Sequence, residues 1–143
     1  MAQLRASLPP TAILVGQSIY RDIQWLQLVE GMDYTSAINL TDLFRVWNPT
    51  RGTYTHFTQD HCAKVWLGVD SREHHDAITD AAISISLFNA YRTIQWDMTR
   101  LYHLQCLTMQ HSPRIVGFST EYPVIDGCCM GNRKNCICGA PFE

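Results

Sequence analysis

The run Ala12-Ile13-Leu14-Val15 constrains this chain most. It is continuously apolar, with Pro9-Pro10 before it and Gly16 after it. A half-solvated strand alternates apolar and polar residues, so an unbroken run reads as a strand that is fully buried. Ala37-Ile38-Asn39-Leu40 reads as a short second strand. Helical patterns occupy most of the rest, which makes the chain an α/β protein.

Residues 22–29 read as a short helix with Ile23, Trp25, Leu26 and Val29 as its inner face and Gly31 as its stop. Residues 41–47 read as a helix capped by Thr41 and ended by Asn48-Pro49. Arg51-Gly52-Thr53-Tyr54 reads as a turn. Residues 58–67 form a helix by pattern, with Thr58 as cap and Gly68 as stop. A long helix is predicted from Asp76 or Ala77 to Met109. Ile78, Ala81, Ala82, Ile85 and Phe88 give it a buried face at helical spacing. Trp25, Trp47, Trp66 and Trp96 sit at or near apolar helix faces, and core packing is the expected role for most of them.

The chain has 143 residues, 46% of them apolar and 17% charged, which suffices for one folded domain with a core. Its net charge of -2 disfavours a protein that coats nucleic acid through a broad basic surface. Gripping a strand end with the help of metal ions needs no such surface. There is no apolar run of the roughly 20 residues that cross a bilayer. Nor is there a secretory signal pattern at the N-terminus. The expected location is intracellular, nuclear or cytoplasmic, with no membrane partner. In such a compartment the six cysteines read as thiols or metal ligands.

Three residues carry candidate chemistry. Asp22 follows the first strand after a turn, and His75 and Asp80 lie five apart at the start of the long helix. Two-metal hydrolysis of a phosphodiester needs several carboxylates around divalent ions, which generate hydroxide and clamp the reacting oxygens. Carboxylates suit Mg2+ or Mn2+, and a histidine can take a proton near neutral pH. His75 and Asp80 are about one and a half turns apart, so His75 must stand outside the first turn, with Asp76 as N-cap, to reach over such a site. The plainer reading makes Asp76 and Asp80 carboxylates favoured by the helix dipole, and Asp22 an ordinary cap.

Leu14-Val15-Gly16-Gln17-Ser18-Ile19-Tyr20-Arg21-Asp22 and His75-Asp76-Ala77-Ile78-Thr79-Asp80-Ala81 together resemble two motifs of the DEDDh family of 3′-5′ exonucleases, in the ribonuclease H-like superfamily. Between them, Ile38-Asn39-Leu40-Thr41-Asp42-Leu43-Phe44 resembles the family's short strand and helix, and Ala63-Lys64-Val65-Trp66-Leu67-Gly68 the helix before the last motif. The similarity spans residues 12–92 and is greatest to the RNA-exonuclease branch. The resemblance implies Asp22 and Asp80 as metal ligands and His75 as general base. His74 lacks the family spacing to Asp80. Gln17 stands where the family usually has histidine, and the family's Asp-x-Glu strand has no counterpart in the sequence. The resemblance therefore implies a partial ribonuclease H-like fold in residues 1–112: a fragment, an incomplete gene product, a subunit whose sheet is completed by a second chain, or a degenerate nuclease fold kept for binding.

Residues 113–143 read as an irregular cysteine-rich tail. Cys128, Cys129, Cys136 and Cys138 are candidate ligands of a structural Zn2+, with His103, Cys106 or His111 able to replace one of the adjacent pair. Arg133 and Lys134 at its Gly-Asn turn, and Tyr20 beside Asp22, are candidate contacts to nucleic acid. His61 and Cys62 are adjacent in a helix and point apart, which argues against a shared ion.

The expected function is a 3′-5′ exonuclease acting on single-stranded nucleic acid, RNA preferred, through metal-bound hydroxide. One alternative is a non-catalytic nucleic-acid-binding or assembly module on the same scaffold. Another is a zinc-stabilised protein-interaction domain.

Overall fold

The computed structural model describes residues 2–69 and 76–111. The chain divides into a unit of residues 1–111 and a second unit, 112–143, which lies outside the described residues. The order of elements is α1 (Ala2–Ser7), β1 (Ile13–Gly16), α2 (Ile19–Trp25), β2 (Ser36–Asn39), α3 (Leu40–Leu43), β3 (Val46–Asn48), β4 (Thr53–Thr55), α4 (Gln59–Leu67), α5 (Ala77–Ile94) and α6 (Met98–Gln110). The protein is mixed α/β, with six helices and two small sheets among the described residues.

Strands β1 and β2 pair in parallel, with Leu14 opposite Ala37 and Val15 opposite Ile38. Successive strand residues face opposite ways. Leu14 and Ala37 accordingly pack with Ile19, Ile23, Leu28 and Tyr34, while Val15 packs with Leu40, Phe44, Cys62, Ile83 and Leu87. Helix α2 thus covers one face of the sheet, and α4 and α5 cover the other. This explains why β1 is apolar at consecutive positions.

Caps whose chemistry is local stand where the sequence puts them. The Thr58 side chain accepts from the His61 amide, and Gly68 ends α4 in the left-handed region at φ 70°. Asp76 N-caps α5, accepting from the amides of Ile78 and Thr79.

Elsewhere the sequence reading is corrected. Helix α2 starts earlier and stops earlier than predicted, with Ser18 as its N-cap residue, so Asp22 lies within the helix and does not cap it. The helix expected over residues 41–47 is a single turn, α3, capped by Asn39 and not by Thr41. Val46 to Asn48 instead form a strand, because Trp47 finds a cross-strand partner in Tyr54. Their rings meet edge to face with centroids 5.2 Å apart.

The long final helix is two helices. Asp97 caps α6 by accepting from the Arg100 amide at 3.0 Å. The buried stripe of α5 is Ile83, Ser84, Leu87 and Ile94. Ile78 is 83% exposed, and Ile85, Ala81 and Ala82 are exposed with it. Both stripes have helical spacing, and only the position of β1 and α4 selects one. The tryptophans also depart from expectation. Trp25 and Trp96 are 82% and 87% exposed, Trp47 is half exposed, and Trp66 alone packs against the core.

Candidate functional site

Parallel strands in α/β proteins direct ligands to the crevice beyond their carboxyl ends. Here those ends are joined by side chains. Ser18, just past β1, holds a left-handed backbone at φ 55°, uncommon outside glycine. Its amide donates to Asn39 Oδ1 at the end of β2, at 2.9 Å, and to Thr41 Oγ1 in α3, at 3.2 Å. Asn39 Oδ1 also accepts from the Thr41 amide at 3.3 Å, while its Nδ2 donates to Asp42 at 2.9 Å. One asparagine therefore caps α3 and fixes the turn from which α2, and Asp22 on it, departs.

Asp22 is exposed. It lines an open depression of about 490 Å³ with Arg21, Gln24 and Trp25. The Trp25 ring that sequence periodicity assigned to the inner face is instead a free aromatic surface beside a carboxylate and a guanidinium. Tyr20 is likewise exposed.

Asp80 lies half-buried in the first turn of α5. Its backbone carbonyl accepts from Gln59 Nε2 at 2.9 Å, and the same nitrogen lies 2.7 Å from the buried Ser84 hydroxyl. From the other motif, Gln17 Nε2 donates to the Phe57 carbonyl at 2.9 Å. Phe57 is thus tied to the first motif segment and Gln59, two residues on, to the second. Gln17 Oε1 is buried with no protein partner. Sequence reasoning missed Asn39 and Gln59, because an isolated amide side chain carries no periodic or spacing signal.

Helix α2 carries Asp22 on one face of the β1–β2 sheet, and α5 carries Asp80 on the other. His75, His74, the four cysteines Cys128, Cys129, Cys136 and Cys138, and Arg133 and Lys134 lie outside the described residues. Among the described residues no three His, Cys, Asp or Glu side chains group closely enough to hold a metal ion. Also among them, no helix is long and apolar enough to cross a membrane.

His61 and Cys62 are both buried in α4. His61 Nε2 donates to the Thr108 carbonyl in α6 at 2.7 Å, and Phe57 stacks on the imidazole at 4.9 Å. Trp66 Nε1 donates to Thr108 Oγ1 at 3.0 Å. Cys62 faces the core, and burial pushes its thiol up to about 12.

Comparison with family models, with curated proteins and with solved structures finds no match.

Proposed function

We propose that this chain carries part of a ribonuclease H-like, DEDDh-type 3′-5′ exonuclease site and acts on single-stranded nucleic acid, RNA in preference to DNA. The observation that carries the reading is the pair of hydrogen bonds at the entry to α4. Gln17 of the first motif bonds to Phe57, and Asp80 of the second bonds to Gln59, over 40 and 21 intervening sequence steps. Holding the two motif segments to positions two residues apart favours a shared site. Asp22 and Asp80 are the proposed ligands for Mg2+ or Mn2+, and His75 the proposed base.

The described donor set does not by itself fit a pair of metal ions. Two carboxylates on helices of opposite sheet faces leave most coordination positions without protein oxygen. Further carboxylates must come from elsewhere, and β1 indicates the direction. It pairs only with β2 among the described residues, although its apolar run is that of an interior strand. Ile13 on β1, and Ile78 and Ile85 on α5, which packs on β1, are exposed large apolar side chains. An unpaired strand edge beside exposed apolar surface favours another strand. A second chain completing the sheet would supply both the pairing and the missing carboxylates.

The test is incubation of 5′-labelled and 3′-labelled single-stranded RNA with the chain and Mn2+, alone and with candidate partner chains. The reading expects a ladder shortening from the 3′ end that Asp80→Ala and His75→Ala abolish. The placement of Asp22 and Asp80 on helices of opposite sheet faces favours a second reading, a binding module without catalysis. That reading expects RNA affinity with no ladder under every condition.

A further inference from the structure

Helix α5 is apolar on two faces. Its inner stripe, Ile83, Ser84, Leu87 and Ile94, is buried, with β1 and α4 packed on the helix. Its outer side carries Ile78, Ala82, Ile85, Asn89 and Arg92, all exposed, and Trp96 continues the row in the turn past the helix end. The 18 residues of α5 include two charged side chains, Asp80 and Arg92, and only Arg92 lies in this row. A surface helix ordinarily turns charged and polar residues away from its buried face, and one that stays apolar all round is covered on both sides.

The outer row has a definite repeat. Its steps are four, three, four, three and four residues. That is the seven-residue repeat that keeps one seam facing a neighbouring helix. The steps also read the same in both directions. Turned end for end about a point between Ile85 and Asn89, the row falls on itself: Ile78 opposite Trp96, Ala82 opposite Arg92, and Ile85 opposite Asn89. A two-fold dimer requires a surface of this kind, complementary to itself.

The pairings suit the side chains. Ile78 and Trp96, the two most exposed apolar groups of the row, cover each other. Ala82 leaves room for the Arg92 stem, whose methylenes can pack while the guanidinium reaches water. The antiparallel direction sets the two copies of Arg92 about 15 Å apart along the axis, well beyond the roughly 8 Å at which salt screens charge. A parallel pair sets them side by side. With one cation and no carboxylate in the row, a strongly charged partner finds little to pair with.

We propose that the outer face of α5 is the interface between two copies of this chain, packed antiparallel along the row from Ile78 to Trp96. The inference is independent of the nuclease reading, and the open edge of β1 keeps its own need for a strand.

The test is sedimentation velocity of the full chain over a range of micromolar concentrations. A reversible dimer is expected, dissociating on dilution. Ile85→Glu and Ala82→Glu are each expected to leave only monomer, and Trp96→Ala to weaken the dimer about thirtyfold, as loss of an aromatic anchor does. Trp25→Ala, an equally exposed tryptophan on α2, is expected to leave the dimer unchanged. Every altered side chain is exposed, so circular dichroism melts of the monomeric variants should still show a folded chain. Oxidation of mixed Ala82→Cys and Arg92→Cys chains is expected to join positions 82 and 92, read by peptide mass mapping. A chain that stays monomeric throughout, or a dimer that survives Ile85→Glu, overturns the interface. A disulfide joining position 82 to its own copy overturns the antiparallel packing. A monomer that sediments with vesicles of phosphatidylserine and phosphatidylcholine, and loses this with Trp96→Ala, gives the face to a lipid surface and overturns the dimer.

Discussion

Gln59 reaches from the first residue of α4 to the backbone carbonyl of Asp80, 2.9 Å away and 21 positions later in the chain. The same amide nitrogen meets the buried Ser84 hydroxyl one turn further along α5. The start of α5 is thereby pinned to α4, and the carboxylate of Asp80 projects from a fixed turn. Gln59→Leu keeps the bulk and removes the donor. It is expected to cost about 1–3 kcal/mol, the penalty for leaving buried acceptors unmet. Urea unfolding should show a lower midpoint with an unchanged slope, and a midpoint equal to that of the original chain would refute the pin.

His61 closes the other end of the helical layer. The last carbonyls of a helix have no partner within it, and the Thr108 carbonyl near the end of α6 finds one in the His61 ring. His61→Phe preserves the stacking with Phe57 and deletes the hydrogen bond. A destabilisation of about 1–3 kcal/mol is expected. Hydrogen exchange should locate the loosening at the α4–α6 contact and leave the amides of β1 and β2 unaffected.

The Asp76 carboxylate caps α5, accepting from the Ile78 and Thr79 amides at 3.0 and 2.9 Å and from the Thr79 hydroxyl at 2.6 Å. Asp76→Ala should lower stability by about 1 kcal/mol, and Asp76→Ser should recover most of it. Activity offers a separate readout. If Asp76 acts only as a cap, both variants keep any nuclease activity present once the temperature is lowered to restore folding.

Cys62 gives a pH-dependent prediction. Its thiol ordinarily ionises near 9.0, and burial holds the proton to about 12 in the fold. The unfolded chain releases this proton first, so the contribution is intact below pH 9 and fades as pH rises from 9 towards 12. Native protein at pH 8 should leave Cys62 unalkylated by iodoacetamide, and addition of denaturant should expose it. Peptide mass mapping reads that residue separately from Cys106, which is only half-buried. Rapid native labelling of Cys62 would contradict its placement in the core.

Legibility in the sequence followed the range of the interaction. The caps at Thr58 and Asp76 and the stop at Gly68 were readable because each is settled within four residues, by a side-chain oxygen or a left-handed glycine. The β1 run was readable as a strand because helices pack on both faces of its sheet, although it is not fully buried: Leu14 and Val15 are partly covered and Ile13 is 56% exposed. The 46–48 segment was misread because its state depends on Tyr54, across a turn. In α5 two apolar stripes compete, and nothing local says that Ile83 and Leu87 turn inward while Ile78 and Ile85 turn out.

By itself the sequence determined the class of the chain, the strand that anchors it, and the residues able to carry chemistry, because composition and short-range spacing encode those directly. Only the tertiary structure decided that Gln17 ties to Phe57 before α4, that Gln59 ties α4 to the start of α5, that Asp22 stands in the open beside Trp25, and that Trp47 is half exposed. Those facts depend on which surfaces meet when distant segments pack. That choice is made by the summed burial of both cores, and no single stretch of residues records it.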